Sequence, residues 1–286
     1  MPPVSADQIQ RITGVYLRGV YRLFLVILLA GCQSLPEPVT RQNDVRMDRE
    51  LRGDSLVVTV HNTVPSPMRV QLTSDAIALD TAFVLAPLSE KPIRVHAPGL
   101  DSTSLSSAVR GSLTFGSLDW PVRAETLSLP FPAGRWYRVI QGYYGSFSHN
   151  YPFARYALDF ALAVGDTVTA AADGMVIGLV DENTAGGNNR KYRDHANYIT
   201  LFHPQSGLYT QYVHLQPGGS LVALRDSVKR GQPIGLSGLT GFTSRSHLHF
   251  NVLVPDSSAG LVSHPAVFEP DVPGGALTQG SRAVRR

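Results

Sequence analysis

The chain has 286 residues, 43% of them hydrophobic and 16% charged, a balance too apolar and too weakly charged for a mainly disordered polymer. Its 26 glycines and 20 prolines favour short, turn-rich strands and exclude a coiled coil or a polytopic membrane protein. A formal charge of +3 offers no concentrated basic face of the kind that nucleic acid demands.

The chain starts with a leader-like segment. Leu23 to Ala30 reads LFLVILLA, eight apolar residues behind Arg18 and Arg22. A bilayer anchor takes about 20 residues, so this run is too short to span and has the length of a signal-peptide core. The lone cysteine, Cys32, excludes an intramolecular disulfide. Leu29-Ala30-Gly31-Cys32 resembles the lipobox of bacterial lipoproteins, which implies removal of residues 1–31 and lipidation of Cys32. Gln33 after the cysteine resembles the outer-membrane sorting pattern, so the implied location is the periplasmic face of the outer membrane. A plain secretory signal, or a buried strand ending in cysteine, is the other reading of these residues.

Residues 32–50 are polar and proline-punctuated and read as a tether. Over 51–129, short alternating runs at Leu56–Val60, Met68–Leu72, Ala82–Leu85, Ile93–Val95 and Gly111–Trp120 are separated by turn residues, which predicts a small β-sandwich-like domain. Its His61 and His96 belong to no motif. Residues 130–135, with Pro130 and Pro132, read as a linker. A second β-rich domain is expected over 136–256, with a mobile loop at 182–194. Residues 257–286 are rich in Ser, Gly and Pro and read as a tail, disordered from about Asp271.

The chemistry concentrates in 149–249. In His247-Leu248-His249-Phe250, residues two apart on a strand point the same way, so both imidazoles share one face and Leu248 and Phe250 share the other. Asp159 sits in YALDFA (156–161), where a carboxylate amid apolar neighbours needs a cation or metal as partner. His149 precedes it in a Gly- and Ser-containing loop, and His214 ends Gln211-Tyr212-Val213-His214.

The order His149, YALDFA, YVHL (212–215) and HLHF (247–250), with the connecting Gly231-Gln232-Pro233-Ile234-Gly235 and Thr240-Gly241, resembles the lysostaphin-type (LytM-type) zinc endopeptidases of bacterial peptidoglycan. The resemblance covers about residues 140–256. It implies a mainly β fold, in which an antiparallel catalytic domain carries a groove across one sheet. It also implies one zinc ion held by His149, Asp159 and His249, with His214 and His247 as the catalytic pair. Two imidazoles and a carboxylate leave a tetrahedral position for water, as catalytic zinc requires. With no HExxH present, neutral histidines are the available proton handlers. The implied substrate is peptidoglycan peptide, the implied membrane contact is through the N-terminal lipid, and the N-terminal β domain is a candidate surface for an envelope protein partner.

Three details depart from the family pattern: Arg245-Ser246 before HLH, Leu224-Arg225 at the turn near Asp226, and a ten-residue gap from His149 to Asp159. Outside the five, His203 is expected to bond backbone, His195 to face solvent and His264 to be structural or exposed. Of Tyr143, Tyr144, Phe147 and Tyr151, at least two are expected in the core and the rest along the groove. Two other functions compete. An inactive relative that binds and regulates another wall hydrolase would usually lack some of the five residues. A biotinyl- or lipoyl-type carrier would need a lysine context that is absent here.

Overall fold

The computed structural model describes residues 35–40 and 42–286. Cys32, the expected signal segment 1–31 and the first residues of the expected tether lie outside the described residues. Among the described residues no helix is long and apolar enough to cross a membrane. Pro36–Arg286 forms one contact unit, built almost wholly of strands.

Its N-terminal part packs two three-stranded antiparallel sheets. One runs Arg46–Arg52, Ser55–Asn62, Ser89–His96; the other runs Asp80–Leu85, Met68–Thr73, Arg110–Phe115. The β-branched residues of Ser55–Asn62 alternate strictly between buried and half-buried, the period-two pattern of a sheet with one face in the core. Leu56, Val58, Val60, Val70 and Leu72 fill the interior of this sandwich.

The C-terminal part is a nine-stranded sheet. Along its path lie Ser227–Val228, Gly174–Val180, Tyr198–His203, Leu208–Val213, Leu248–Asp256, Leu158–Phe160, Trp136–Gln141 and Arg282–Val284, while Gly260–Ser263 pairs with Leu248–Asp256 off that path. A second layer holds Thr167–Thr169, Pro233–Ser237 and Leu215–Ser220. Between the layers sit Phe160, Tyr212, Phe250, Ile199, Leu201, Val168 and Ile234, fully buried or nearly so. Fully burying each aromatic or branched side chain contributes about 1.5–3 kcal/mol, which makes this the thermodynamic centre of the unit.

Three sequence expectations are corrected. The expected tether is structured from Val39 onward wherever it is described. Val39 exchanges two hydrogen bonds with Asn183, Leu179 N–H donates to the Gln42 carbonyl, and Arg46–Arg52 pairs with Ser55–Asn62 over seven residues. The 130–135 segment is no free linker, because Phe131 is fully buried with edge contacts to Tyr137 and Phe160 at 4.9 and 5.5 Å. The expected disordered tail instead supplies strands. Arg282–Val284 pairs with Trp136–Gln141, and Phe268 and Ala283 are fully buried. In each case a few apolar residues within a polar or proline-rich stretch anchor it, and composition alone understates them.

The two parts meet through Val64, Met68 and Phe115 against Ile177, Phe202, Tyr209 and Leu253. Ser66 Oγ pairs with Tyr209 Oη at 2.9 Å, and the Arg69 guanidinium donates to the Asp256 and Gly260 carbonyls, both at 2.6 Å. Arg225, one of the departures noted above, donates to the Thr63 carbonyl and to Asp44 at 2.6 Å each, from a left-handed backbone with φ +73°. An arginine at this turn ties the two parts together, which a glycine could not do.

A candidate metal centre in a groove

Register decides which side chains meet. His249 lies opposite Asp159 on one side and Val213 on the other, and Asp159 lies opposite Gln141. Directly opposed residues on neighbouring strands project from the same face, so Gln141, Asp159 and His249 form a row. His247 joins that face two residues before His249. His214 follows Val213 directly and turns inward with φ +68°, a strained conformation for a residue with a side chain. His149 comes from the loop joining Trp136–Gln141 to Leu158–Phe160 and is fully buried.

His249 Nδ1 stands 2.8 Å from Asp159 Oδ1, and His149 Nε2 stands 3.2 Å from the same oxygen and 3.3 Å from His249 Nδ1. One ligand atom from each of the three lies within 4.8 Å of those from the other two. His149 Nδ1–H donates to the Gly142 carbonyl at 2.8 Å, which turns the Nε2 lone pair toward the cluster. Gln141 Nε2 donates to the outer oxygen of Asp159 at 3.2 Å and to Ser148 Oγ at 2.7 Å. Three lone-pair atoms therefore converge in a buried place, an arrangement that needs a proton or a cation between them.

The electrostatics carry the same demand. Burial drives the Asp159 carboxyl up, but hydrogen bonds from His149 and His249 overcome it and hold the group well below the ordinary carboxylate value. Burial disfavours a charged His149, and Asp159 outweighs that to keep its pKa above the usual imidazole value. His249 is pulled down, mainly by burial. The donor set of two imidazoles and one carboxylate fits a borderline-soft divalent ion such as zinc.

His214 and His247 sit beside this cluster with ring centroids 4.6 Å apart, and His247 Nε2 is 3.8 Å from Asp159 Oδ1. His214 Nδ1–H donates to the Thr240 carbonyl at 2.7 Å, leaving Nε2 free to accept. His247 Nδ1 is 2.9 Å from the Arg245 carbonyl and 3.1 Å from Thr243 Oγ1. Burial first, then the neighbouring imidazoles, push the His214 pKa down to about 3, so this ring is neutral at physiological pH. All five histidine and aspartate positions singled out in the sequence thus come together. Sequence reasoning missed the groups that orient them: Gln141, Thr243 and the Thr240 carbonyl. For Thr240, its place in the connecting Thr240-Gly241 pair was the available signal. Gly241 has φ +81°, and a side chain there would stand 2.6 Å from Ala196 Cβ.

The site opens into a groove of about 600 Å³. Among the described residues, none from 46–115 lines it. The N-terminal sandwich packs on Tyr209, four residues from Val213 and so about 13 Å along the strand from the site. Tyr144, Phe147 and Tyr151 are exposed, contrary to the expectation that at least two of the four loop aromatics enter the core. Phe147 lies 5.4 Å from Phe242, both on the groove, and Tyr143 lines it while its hydroxyl accepts from Ala266 N–H.

The remaining histidines separate clearly. His203 Nδ1–H donates to the Asp173 carbonyl as expected. His195 is buried rather than exposed, because the short helical turn Arg190–His195 folds it inward, and its Nδ1 has no hydrogen-bond partner among the described residues. His264 is half-buried, with Nδ1 2.8 Å from the Pro265 carbonyl.

Residues 154–259 match the family model described as Peptidase family M23. His149 falls just before the matched segment. Peptidoglycan DD-endopeptidase ShyB of Vibrio cholerae is 40% identical over 96 residues, 34% of this chain and 20% of that protein. Glycyl-glycine endopeptidase ALE-1 of Staphylococcus capitis is 34% identical over 114 residues, 40% of this chain and 28% of that protein. This chain therefore spans well under a third of the length of these relatives. The catalytic domain of lysostaphin from Staphylococcus simulans superposes with a TM-score of 0.33 at 27% identity, covering 45% of this chain and 87% of that one.

Proposed function

We propose, from the match of residues 154–259 to the model of peptidase family M23, that this protein is a zinc-dependent endopeptidase hydrolysing peptide bonds in bacterial peptidoglycan. The observation that carries this reading is the convergence of His149, Asp159 and His249 within 4.8 Å, with His214 and His247 alongside in an open groove. In this reading His149, Asp159 and His249 hold the metal. When bound, zinc acidifies water and polarises a carbonyl as a Lewis acid.

The chain's own residues supply the rest. The Gly142 carbonyl fixes the His149 tautomer, and Gln141 fixes the Asp159 carboxylate, so the ligand atoms are oriented before any metal arrives. His214, neutral and anchored by Thr240, offers Nε2 as an acceptor for a proton or as a partner for water in the groove. His247, held by Thr243 and Arg245, lies alongside with its ring centroid 4.6 Å from that of His214 and completes a pair able to take and give protons in the groove. The presence of every position the chemistry needs favours an enzyme over a non-catalytic regulator.

Lipidation of Cys32, with attachment at the periplasmic face of the outer membrane, belongs to the same proposal. It is supported by the LAGC tetrapeptide behind the apolar run. The N-terminal sandwich, set away from the groove, is left free to meet an envelope partner. The test is digestion of purified sacculi by residues 33–286, with mass spectrometry of released fragments and metal analysis of the protein. Release of peptide-cleaved fragments, abolished by a chelator and restored by zinc, is expected. A metal-free, inert but wall-binding protein would overturn the enzyme reading in favour of regulation.

A further inference from the structure

We propose that Arg193 and Arg245 form a carboxylate-reading subsite in the groove, selecting peptides that carry a free carboxylate close to the scissile bond. The inference deepens the endopeptidase reading and rests on it. Both arginines line the groove, and both are exposed. They reach it from two loops that are locked together: Gly186–Gly187 pairs with Gly241–Phe242 in parallel, and Thr243 N–H donates to the Gly187 carbonyl at 3.2 Å. Elsewhere Arg52, Arg110, Arg225 and Arg230 each bond a carboxylate. Among the described residues neither the Arg193 nor the Arg245 guanidinium has an acidic or carbonyl partner.

The lining of the groove is also unbalanced in charge. Its one carboxylate is Asp159, and that group is buried against histidines. Two uncompensated guanidinium forks remain, and the fork matches a carboxylate with two parallel hydrogen bonds. Arg245 also has a fixed origin. Its carbonyl accepts from Thr243 Oγ1 at 2.6 Å and lies 2.9 Å from His247 Nδ1, so its backbone holds a set position relative to the site.

A free carboxylate can be a peptide's C-terminal group or an acidic side chain, and the test separates them. A synthetic peptide spanning the bond identified by sacculus digestion is prepared as the free acid, as the C-terminal amide, and with its side-chain carboxylate amidated. The quantities compared are kcat/KM and, on the metal-depleted protein, Kd. The wild type is expected to favour the free acid about tenfold or more over one amidated form, and that form identifies the source. In Arg193→Gln and Arg245→Gln this ratio falls, and in the double variant it approaches one. Arg245→Lys retains part of it, because charge survives without the fork. Equal handling of all three peptides by the wild type, or a ratio untouched by either substitution, overturns the subsite even where cleavage is robust. Acid-selective binding without cleavage of any peptide would keep the subsite and sink the endopeptidase reading instead.

Discussion

Asp159 and His249 face each other across adjacent antiparallel strands, with Oδ1 and Nδ1 2.8 Å apart. A carboxylate held this way in a buried site is satisfied either by protonated imidazole or by a cation. Asp159→Asn keeps the shape and removes the charge. We expect zinc content to fall from one per chain to near zero and wall cleavage to drop at least about 100-fold, with circular dichroism unchanged. Full metal content in the purified variant would contradict the assignment of Asp159.

Gln141 provides a finer probe, since among the three proposed ligands it bonds Asp159 alone, at the outer oxygen. Gln141→Ala leaves all three proposed ligands in place but frees the carboxylate to rotate. A loss of about 10–100-fold in metal affinity is expected, read by competition with a chromogenic chelator. An unchanged affinity would show that the contacts of Asp159 Oδ1 with His149 and His249 alone set the carboxylate.

His214 separates metal binding from turnover. Its Nδ1 is committed to Thr240, and its depressed pKa of about 3 keeps it neutral. His214→Ala is expected to retain one zinc per chain while kcat falls about 10²–10⁴-fold. Loss of the metal along with the activity would mean that this ring acts through the ligand set.

The two-residue period of a strand made HLHF readable, because it alone puts His247 and His249 on one face. Asp159 was readable because an apolar strand does not carry an idle carboxylate. Gln141 was not, since its role exists only once the register sets it opposite Asp159, a contact 18 residues away in sequence. Arg46–Arg52 escaped because RMDRELR is an edge strand, where charged residues protect an exposed ladder and mask the β pattern. Arg282–Val284 was hidden for a related reason. A three-residue strand with one buried alanine has almost no periodicity, and its existence depends on the Trp136–Gln141 edge it completes.

Acid should weaken the fold through His203. This ring is buried, donates from Nδ1 to Asp173 and pairs through Nε2 with Thr210 Oγ1 at 2.8 Å, and burial lowers its pKa below the ordinary value. The unfolded chain takes up a proton near pH 6.5 that the folded ring refuses. Stability is therefore level above about pH 6.5 and falls as pH drops below it, by up to ~1.4 kcal/mol per pH unit from this group. His203→Gln is expected to be less stable at pH 7.5, yet to lose less between pH 6.5 and 5.5 in urea titrations. Parallel pH profiles for wild type and variant would remove His203 as the source.

Phe131 tests whether the proline-flanked 130–135 segment is part of the core. Its ring is fully buried against Tyr137 and Phe160, while the neighbouring backbone is held on both sides: Thr169 N–H donates to the Pro130 carbonyl at 3.1 Å, and Arg285 donates to the Phe131 carbonyl at 2.7 Å. Phe131→Ala opens a cavity beneath the strand that carries Asp159 and is expected to destabilise the unit by about 3–5 kcal/mol. A true linker residue would shift stability by no more than ~0.5 kcal/mol. Because Phe160 is Asp159's neighbour and packs on the same ring, the variant should also bind zinc less tightly at temperatures where it remains folded. A destabilisation below 1 kcal/mol in urea titration, with unchanged zinc affinity, would return this segment to the status of a connector.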